Sequence, residues 1–250
     1  MNINNFQIYI LLVILLVTVL AGVFPFLKKA ITPKGFSFPI GEALANGIFL
    51  GAGLIHMLGN AASDFTELKV DYPFAFLISG LSVLFFLFLE HIGNSLSKTN
   101  KGNLAFIAIM STVMLAIHSF FEGAALGISY EFSVAVVIFI AIISHKWAAS
   151  FALSICINKT NLRFSNRLIL FTIFAIMTPL GILFGQLVQS YFTNPYINPV
   201  FTSIAAGTFI YMGTLHGLER SILIKECCDT KQYSFVIIGF LIMALVAIWT

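Results

Sequence analysis

The sequence predicts an all-α integral membrane protein with eight transmembrane helices. Its residues are 59% hydrophobic and only 9% charged, with a mean hydropathy of +1.00. A soluble domain carries roughly 25% charged residues, so this chain has too few to cover a surface in water. Long apolar runs, such as residues 6–27 and 233–249, approach the ~20 residues that a helix needs to cross hydrocarbon. We therefore expect residues 1–250 to form a single transmembrane domain.

Seven polar breaks divide the chain into eight apolar segments. The breaks fall at residues 28–38, 63–71, 97–103, 130–131, 158–167, 193–198 and 225–232. The connectors that they predict are very short, which favours a bacterial inner membrane over a eukaryotic plasma membrane.

The basic residues predict how the helices are oriented. Cytoplasmic connectors accumulate Lys and Arg. If the N-terminus is outside, eleven of the 13 basic residues lie at the inner ends of helices, Lys69 alone lies outside and Lys146 lies within a helix. We therefore expect both termini outside a multi-pass protein of the cell membrane.

Charge and cysteine content exclude two classes of protein. The net charge of +3 comes from basic residues that stand singly in connectors, which argues against a nucleic-acid partner. The three cysteines, Cys156, Cys227 and Cys228, cannot build a disulfide framework and are interpreted as reduced thiols. The function of Cys227 and Cys228 stays open.

A pattern in the second helix recurs in the seventh, 160 positions later. The matched pairs are Ala45 and Ala205, Gly47 and Gly207, Phe49 and Phe209, Gly53 and Gly213, and His56 and His216. These two helices cross the membrane in opposite directions, as in the inverted repeats of transporters. We therefore predict that helices 1–3 and helices 6–8 are the two repeats, around central helices 4 and 5.

Several ionisable residues lie at membrane depth, where each costs about 2.5–3.5 kcal/mol and needs a partner or a function. His118 and Glu122 lie four positions apart in the fourth helix, so both project from one face and can reach one ion. His145 lies midway along the fifth helix, with Lys146 beside it. A lone buried histidine more often only bonds a neighbouring helix, but the set of three favours a metal site.

Neutral imidazole and carboxylate suit Zn, Fe(II), Mn or Co better than soft Cu(I). Three ligands leave positions open for exchange, as a carrier requires. The residues therefore predict a transporter of divalent transition-metal ions, embedded in the lipid bilayer. We expect the metal to be its substrate, with no prosthetic group and no enzymatic reaction.

At this point the sequence resembles the ZIP (Zrt/Irt-like) metal transporters over nearly its whole length. The motif from His118 to Gly127, His-Ser-Phe-Phe-Glu-Gly-Ala-Ala-Leu-Gly, carries most of the resemblance. The pair His145-Lys146, the segment Pro179-Leu-Gly181 and the segment Ala206-Gly-Thr-Phe209 are similar to further signatures of the family.

The resemblance implies uptake of zinc, or of a similar divalent ion, into the cytosol by alternating access. It places the transport site at His118, Glu122 and His145, with Ser119 beside them. Two further histidines match positions along the access and release paths of relatives: His56 and His216.

Many relatives bind a second ion through acidic residues of the fifth helix. Here those positions are Lys146 and Ala149, so we expect one metal, with the Lys146 ammonium where the second ion would lie. The resemblance also implies that helices 1, 4, 5 and 6 move against helices 2, 3, 7 and 8.

Other interpretations stay open at this stage. The main alternative is a membrane-embedded bis-histidine haem redox protein, since four helices each offer a histidine. An intramembrane metalloprotease is disfavoured because no His-Glu-x-x-His motif is present. A structural membrane protein would follow if the histidines only hold the bundle together. The metal preference, the coupling ion and the oligomeric state are not fixed, with a homodimer among the options.

Overall fold

The computed structural model describes residues 3–27, 38–96, 104–129, 131–192, 194–216 and 230–250. Within these ranges the chain forms eight helices and no strand, as predicted. They are α1 (Ile3–Leu27), α2 (Pro39–Glu67), α3 (Phe74–Leu96), α4 (Leu104–Ile128), α5 (Phe132–Asn158), α6 (Phe164–Tyr191), α7 (Ile197–Tyr211 continued by Met212–His216) and α8 (Thr230–Val246). Helices α1 to α6 each contain a segment long and apolar enough to cross a membrane, and α8 is a shorter apolar helix.

The predicted end of the second helix is wrong by several residues. We expected a break from residue 63, but α2 continues to Glu67. Its last turns are amphipathic: Ala61 and Phe65 are buried, whereas Ser63 is exposed, so a polar stretch there still packs as helix. As a consequence, His56 lies just past the middle of α2 and not near its end.

The eight helices pack as two bundles. In the first bundle, α4 packs along α6 and α1 packs along α5 and α6. In the second bundle, α2 packs along α8 and α3 packs along α7. The main contact between the bundles is that of α4 with α7. The bundles contain the same two groups of helices that the family resemblance implies.

Paired glycines bring α4 and α6 close together. A Cβ added at Gly123 would lie 2.4 Å from the carbonyl oxygen of Thr178. On the opposing helix, a Cβ added at Gly181 would lie 2.1 Å from the carbonyl oxygen of Phe120. Such distances leave no room for a side chain, so the glycines set how closely the two backbones approach.

The inverted repeat is visible in the contact of α2 with α7. A Cβ added at Gly53 would lie 3.1 Å from the carbonyl oxygen of Ala206. A Cβ added at Gly213 would lie 3.1 Å from the carbonyl oxygen of Asn46. Gly213 lies 160 positions after Gly53, and Asn46 lies 160 positions before Ala206. The two helices therefore cross through equivalent residues, which confirms the repeat that the sequence pattern predicts.

Each of these two helices also contains a π-helical segment. The segments are Ala52–Met57 in α2 and Met212–His216 in α7, and they begin 160 positions apart. Short π-helical turns inside α-helices occur frequently at functional sites. His56 and His216 lie in these segments, so the repeat places one histidine in a distorted turn of each half.

The glycine contacts predict which substitutions the bundle tolerates. Gly123→Val should destabilise the protein by at least the 1–3 kcal/mol typical of overpacking, because its side chain would meet the backbone of α6. Gly80→Val in α3 is the matched control, since nothing lies within 4 Å of a Cβ added there. Melting temperatures and yields of monodisperse protein in detergent would compare the two. Equal values for both variants would contradict this packing.

Candidate metal site

Three ligand side chains converge in the middle of the bundle. His118 and Glu122 project from one face of α4, and His145 faces them from α5. Each offers one ligand atom, and these atoms all lie within 4.8 Å of one another. The Nε2 atom of His145 bonds one carboxylate oxygen of Glu122, and the Nε2 atom of His118 lies 3.7 Å from the other. The spacing of four residues therefore puts His118 and Glu122 on one face of α4, as the sequence pattern predicts.

The three side chains are buried and incompletely paired. His118 is 1% exposed, Glu122 4% and His145 0%. Within the described residues, the Nε2 atom of His118, the Oε2 atom of Glu122 and the Nδ1 atom of His145 have no hydrogen-bond partner. Leaving a buried polar atom unpaired costs about 1–3 kcal/mol. The unpaired Nε2 atom of His118 and the unpaired Oε2 atom of Glu122 lie 3.7 Å apart, which fits a cation that binds between them.

The distances suit zinc. Two ligands of a tetrahedral zinc ion, each about 2.0–2.2 Å from the metal, lie about 3.4 Å apart. The 3.7 Å between the Nε2 atom of His118 and the Oε2 atom of Glu122 is close to that spacing. The direct bond between His145 and Glu122 has to open to admit an ion, and three protein ligands leave a further position for water.

Residues of α7 surround His118 and were not predicted as part of the site. The Phe209 ring stacks on the His118 ring, with centroids 3.5 Å apart and planes 15° apart, and meets His145 edge-on at 5.0 Å. The Nδ1 atom of His118 lies 2.8 Å from the Thr208 hydroxyl and 3.0 Å from the Ala205 carbonyl oxygen. In the sequence, Thr208 stood out only through the family resemblance of the Ala206-Gly-Thr-Phe209 segment, whereas Ala205 and Phe209 were also matched positions of the repeat.

Lys146 is buried next to the cluster and fully engaged elsewhere. Its ammonium donates to the hydroxyls of Ser119 and Thr178, each at 2.7 Å, and lies 4.4 Å from the centre of the Phe174 ring. Ser119 was expected beside the ligands. Its hydroxyl accepts a hydrogen bond from the Lys146 ammonium.

His56 lies on a cavity that leads to the cluster. The cavity has a volume of about 360 Å³ and is lined by Glu122 at one end and by Asp64 and Ser63 near the end of α2. His56 bonds the Thr250 hydroxyl at 3.0 Å through its Nδ1 atom. The wall of the cavity is partly polar and includes both His56 and Glu122.

His216 lies in a separate buried network. Its Nε2 atom is 2.8 Å from the Ser111 hydroxyl, and its Nδ1 atom is 3.3 Å from the Glu90 carboxylate, which also accepts from the Tyr211 hydroxyl. Glu90 lies 160 positions before Thr250, the residue that bonds His56. His56 and His216 are therefore held in equivalent ways, and neither belongs to the central cluster.

Fold and cluster together define a multi-pass membrane protein with two histidines and a glutamate clustered in its core, side chains of the types that ligate metals. The family described as ZIP Zinc transporter matches residues 95–247 of the chain. Over 260 residues the chain is 27% identical to the mouse protein named Zinc transporter ZIP2, covering 81% of this chain and 82% of that protein. It is 28% identical to Zinc transporter 11 of Arabidopsis thaliana, covering 97% of this chain and 85% of that protein.

This chain belongs to the ZIP zinc transporter family. The prediction from the helix-four motif is thereby confirmed, and the family is one of membrane transporters. The comparisons give no support to the alternative of a haem redox protein.

Proposed function

We propose that this protein carries zinc ions across the cell membrane into the cytosol and binds each ion through His118, Glu122 and His145. One observation carries the proposal: atoms of an imidazole and a carboxylate, both unpaired among the described residues, face each other beside a second imidazole in a buried centre. Nitrogen and oxygen donors of this kind suit zinc. The relatives named zinc transporters support the same ion.

The arrangement of the cavity supports a direction of transport. By the distribution of basic residues, the end of the bundle that carries Asp64 is the outer one. An ion enters there, passes His56 and reaches Glu122 through the cavity. His216 and Glu90 lie toward the opposite end of the bundle, where they receive the ion on its way to the cytosol.

The two bundles support alternating access. Both helices that supply ligands, α4 and α5, belong to the first bundle. A movement of that bundle against the second carries the complete ligand set with it, and the interface of α4 with α7 changes most. The site then opens to one side of the membrane at a time.

Lys146 supports transport of one ion at a time. Its buried ammonium lies beside the cluster, held by Ser119 and Thr178. A second divalent cation at that place would face a positive charge in an apolar surrounding, where charges interact strongly. The ammonium thus takes the place of a second ion, and Ser119 acts by holding it.

Zinc uptake tests the ligand assignment. In proteoliposomes, Glu122→Ala, His118→Ala and His145→Ala should each lower uptake of labelled zinc to the level of protein-free vesicles, because two ligands cannot hold the ion against water. The control is His91→Ala, since His91 is exposed on α3, and this variant should transport as the unaltered protein does. Unchanged uptake in the three ligand variants would refute the assignment.

Cysteine labelling tests the orientation. In a variant without the native cysteines, Ser63→Cys lies on the cavity and Arg163→Cys lies in the connector between α5 and α6. A maleimide that cannot cross membranes should label position 63 in intact cells and position 163 only after permeabilisation. The reverse pattern would place the cavity on the cytoplasmic side and contradict uptake through it.

A further inference from the structure

The hydrogen bonds of the His118 ring determine which nitrogen it offers to an ion. Its Nδ1 atom contacts the Ala205 carbonyl oxygen and the Thr208 hydroxyl. A carbonyl oxygen can only accept. The Thr208 hydroxyl donates its own hydrogen to the Ala205 carbonyl oxygen at 2.5 Å, so it too accepts from the ring. The Nδ1 atom therefore carries the hydrogen, and the Nε2 atom of the neutral ring keeps its lone pair for the metal.

Phe209 restricts the remaining freedom of the same ring. Because the two rings stack with centroids 3.5 Å apart, the plane of the His118 ring is fixed by van der Waals contact. Rotation within that plane would break the bonds of the Nδ1 atom. The side chains of two consecutive residues of α7, Thr208 and Phe209, thus aim the Nε2 atom at the cluster centre.

The two central helices are related by their own repeat. Ser150 of α5 donates to the carbonyl oxygen of Thr18 in α1 at 2.5 Å. Gly123 of α4 packs against the carbonyl oxygen of Thr178 in α6. Thr178 lies 160 positions after Thr18, and Ser150 lies 27 positions after Gly123. Each residue of α4 therefore corresponds to the residue of α5 that lies 27 positions later in the sequence.

The same shift reveals a difference between the two ligating histidines. The shift of 27 positions relates His118 to His145. The shift of 160 positions relates Thr208 to Ile48. Ile48 has no hydroxyl, and the Nδ1 atom of His145 has no hydrogen-bond partner in the described part of the chain. The repeat is thus broken at the position whose side chain bonds His118, so backbone packing alone does not require a threonine there.

We propose that Thr208 is a positioning residue of the metal site, which fixes His118 in the form whose Nε2 atom binds the ion. The proposal rests on the proposed function, because it assumes that His118 is a ligand. Histidines that bind metals usually donate their other ring hydrogen to a neighbouring acceptor, and loss of that acceptor commonly weakens metal binding 10–100-fold. Thr208 is fully buried: its hydroxyl donates to the Ala205 carbonyl oxygen of its own helix and accepts from the ring of His118.

Nitrogen-15 NMR of histidine-labelled, metal-free protein tests the proposal directly. The chain has five histidines, so the His118 signals are identified by their loss in His118→Ala. Protonated and unprotonated ring nitrogens differ widely in chemical shift. We expect a protonated Nδ1 atom and an unprotonated Nε2 atom for His118 in the unaltered protein. A protonated Nε2 atom would overturn the proposal.

Transport kinetics of position-208 variants provide the second test. Thr208→Val keeps the shape of the side chain but removes the hydroxyl, so the zinc concentration for half-maximal uptake should rise about tenfold or more. Thr208→Ser keeps the hydroxyl and should restore the original value. Ser203→Ala is the matched control, because the buried Ser203 hydroxyl donates within α7, to the Pro199 carbonyl oxygen.

The outcomes separate this proposal from the proposed function. An unchanged half-maximal concentration in Thr208→Val, or an equal defect in Thr208→Ser, would overturn the role of the hydroxyl while zinc uptake itself stands. If the unaltered protein takes up no zinc, the proposed function fails, and the nitrogen spectrum still shows whether the ring is fixed. If Thr208→Val does not fold, Thr208→Ala, which also lacks the hydroxyl, takes its place in the comparison with Thr208→Ser.

Discussion

The centre of this protein is organised by the need to pair polar groups that are buried among apolar helices. Two histidines, a glutamate and a lysine are each at most 4% exposed in a bundle whose outer surface is apolar. The lysine ammonium is paired by hydroxyls of α4 and α6, and the Nδ1 atom of His118 is paired by α7. The pairing stops at the cluster itself, where atoms of all three ligand residues remain open. In the proposed function, a cation supplies what the surrounding helices do not.

Close helix packing holds these polar groups in register. Glycines at the α4 and α6 interface bring backbones together at distances that exclude any side chain, and glycines at the crossing of α2 with α7 allow a similarly close approach. Without water or a strong hydrophobic force between helices, such close packing and interhelical hydrogen bonds are what hold a membrane bundle together. The bond between His118 and Thr208 crosses the interface of the two bundles, so the ligand geometry depends on how the bundles are docked.

Much of the fold could be predicted because each of its determinants is local. Apolar runs of nearly fixed length predict spans, and a spacing of four residues puts His118 and Glu122 on one face of a helix. The repeat at 160 positions could also be predicted from the sequence, and the contacts of Gly53 and Gly213 confirm it. The end of α2 was misplaced because an amphipathic last turn resembles a polar connector in composition.

The surroundings of the site could not be predicted in the same way. That Thr208 bonds His118, or that Ser119 and Thr178 hold Lys146, depends on which helices are neighbours and at what height. Threonine in an apolar helix usually bonds its own backbone, so its sequence context carries no sign of a partner 90 positions away. Only the packing of α4 against α7, and of α5 against α4 and α6, brings these pairs together.

X-ray absorption spectroscopy of the zinc-loaded protein tests the central claim most directly. It reports the elements around the metal and the outer-shell scattering that imidazole rings produce. The account predicts nitrogen and oxygen ligands at about 2.0–2.1 Å, scattering from two imidazoles in the unaltered protein and from one in His145→Ala. Sulfur ligands at about 2.3 Å, or a spectrum that His145→Ala leaves unchanged, would contradict it.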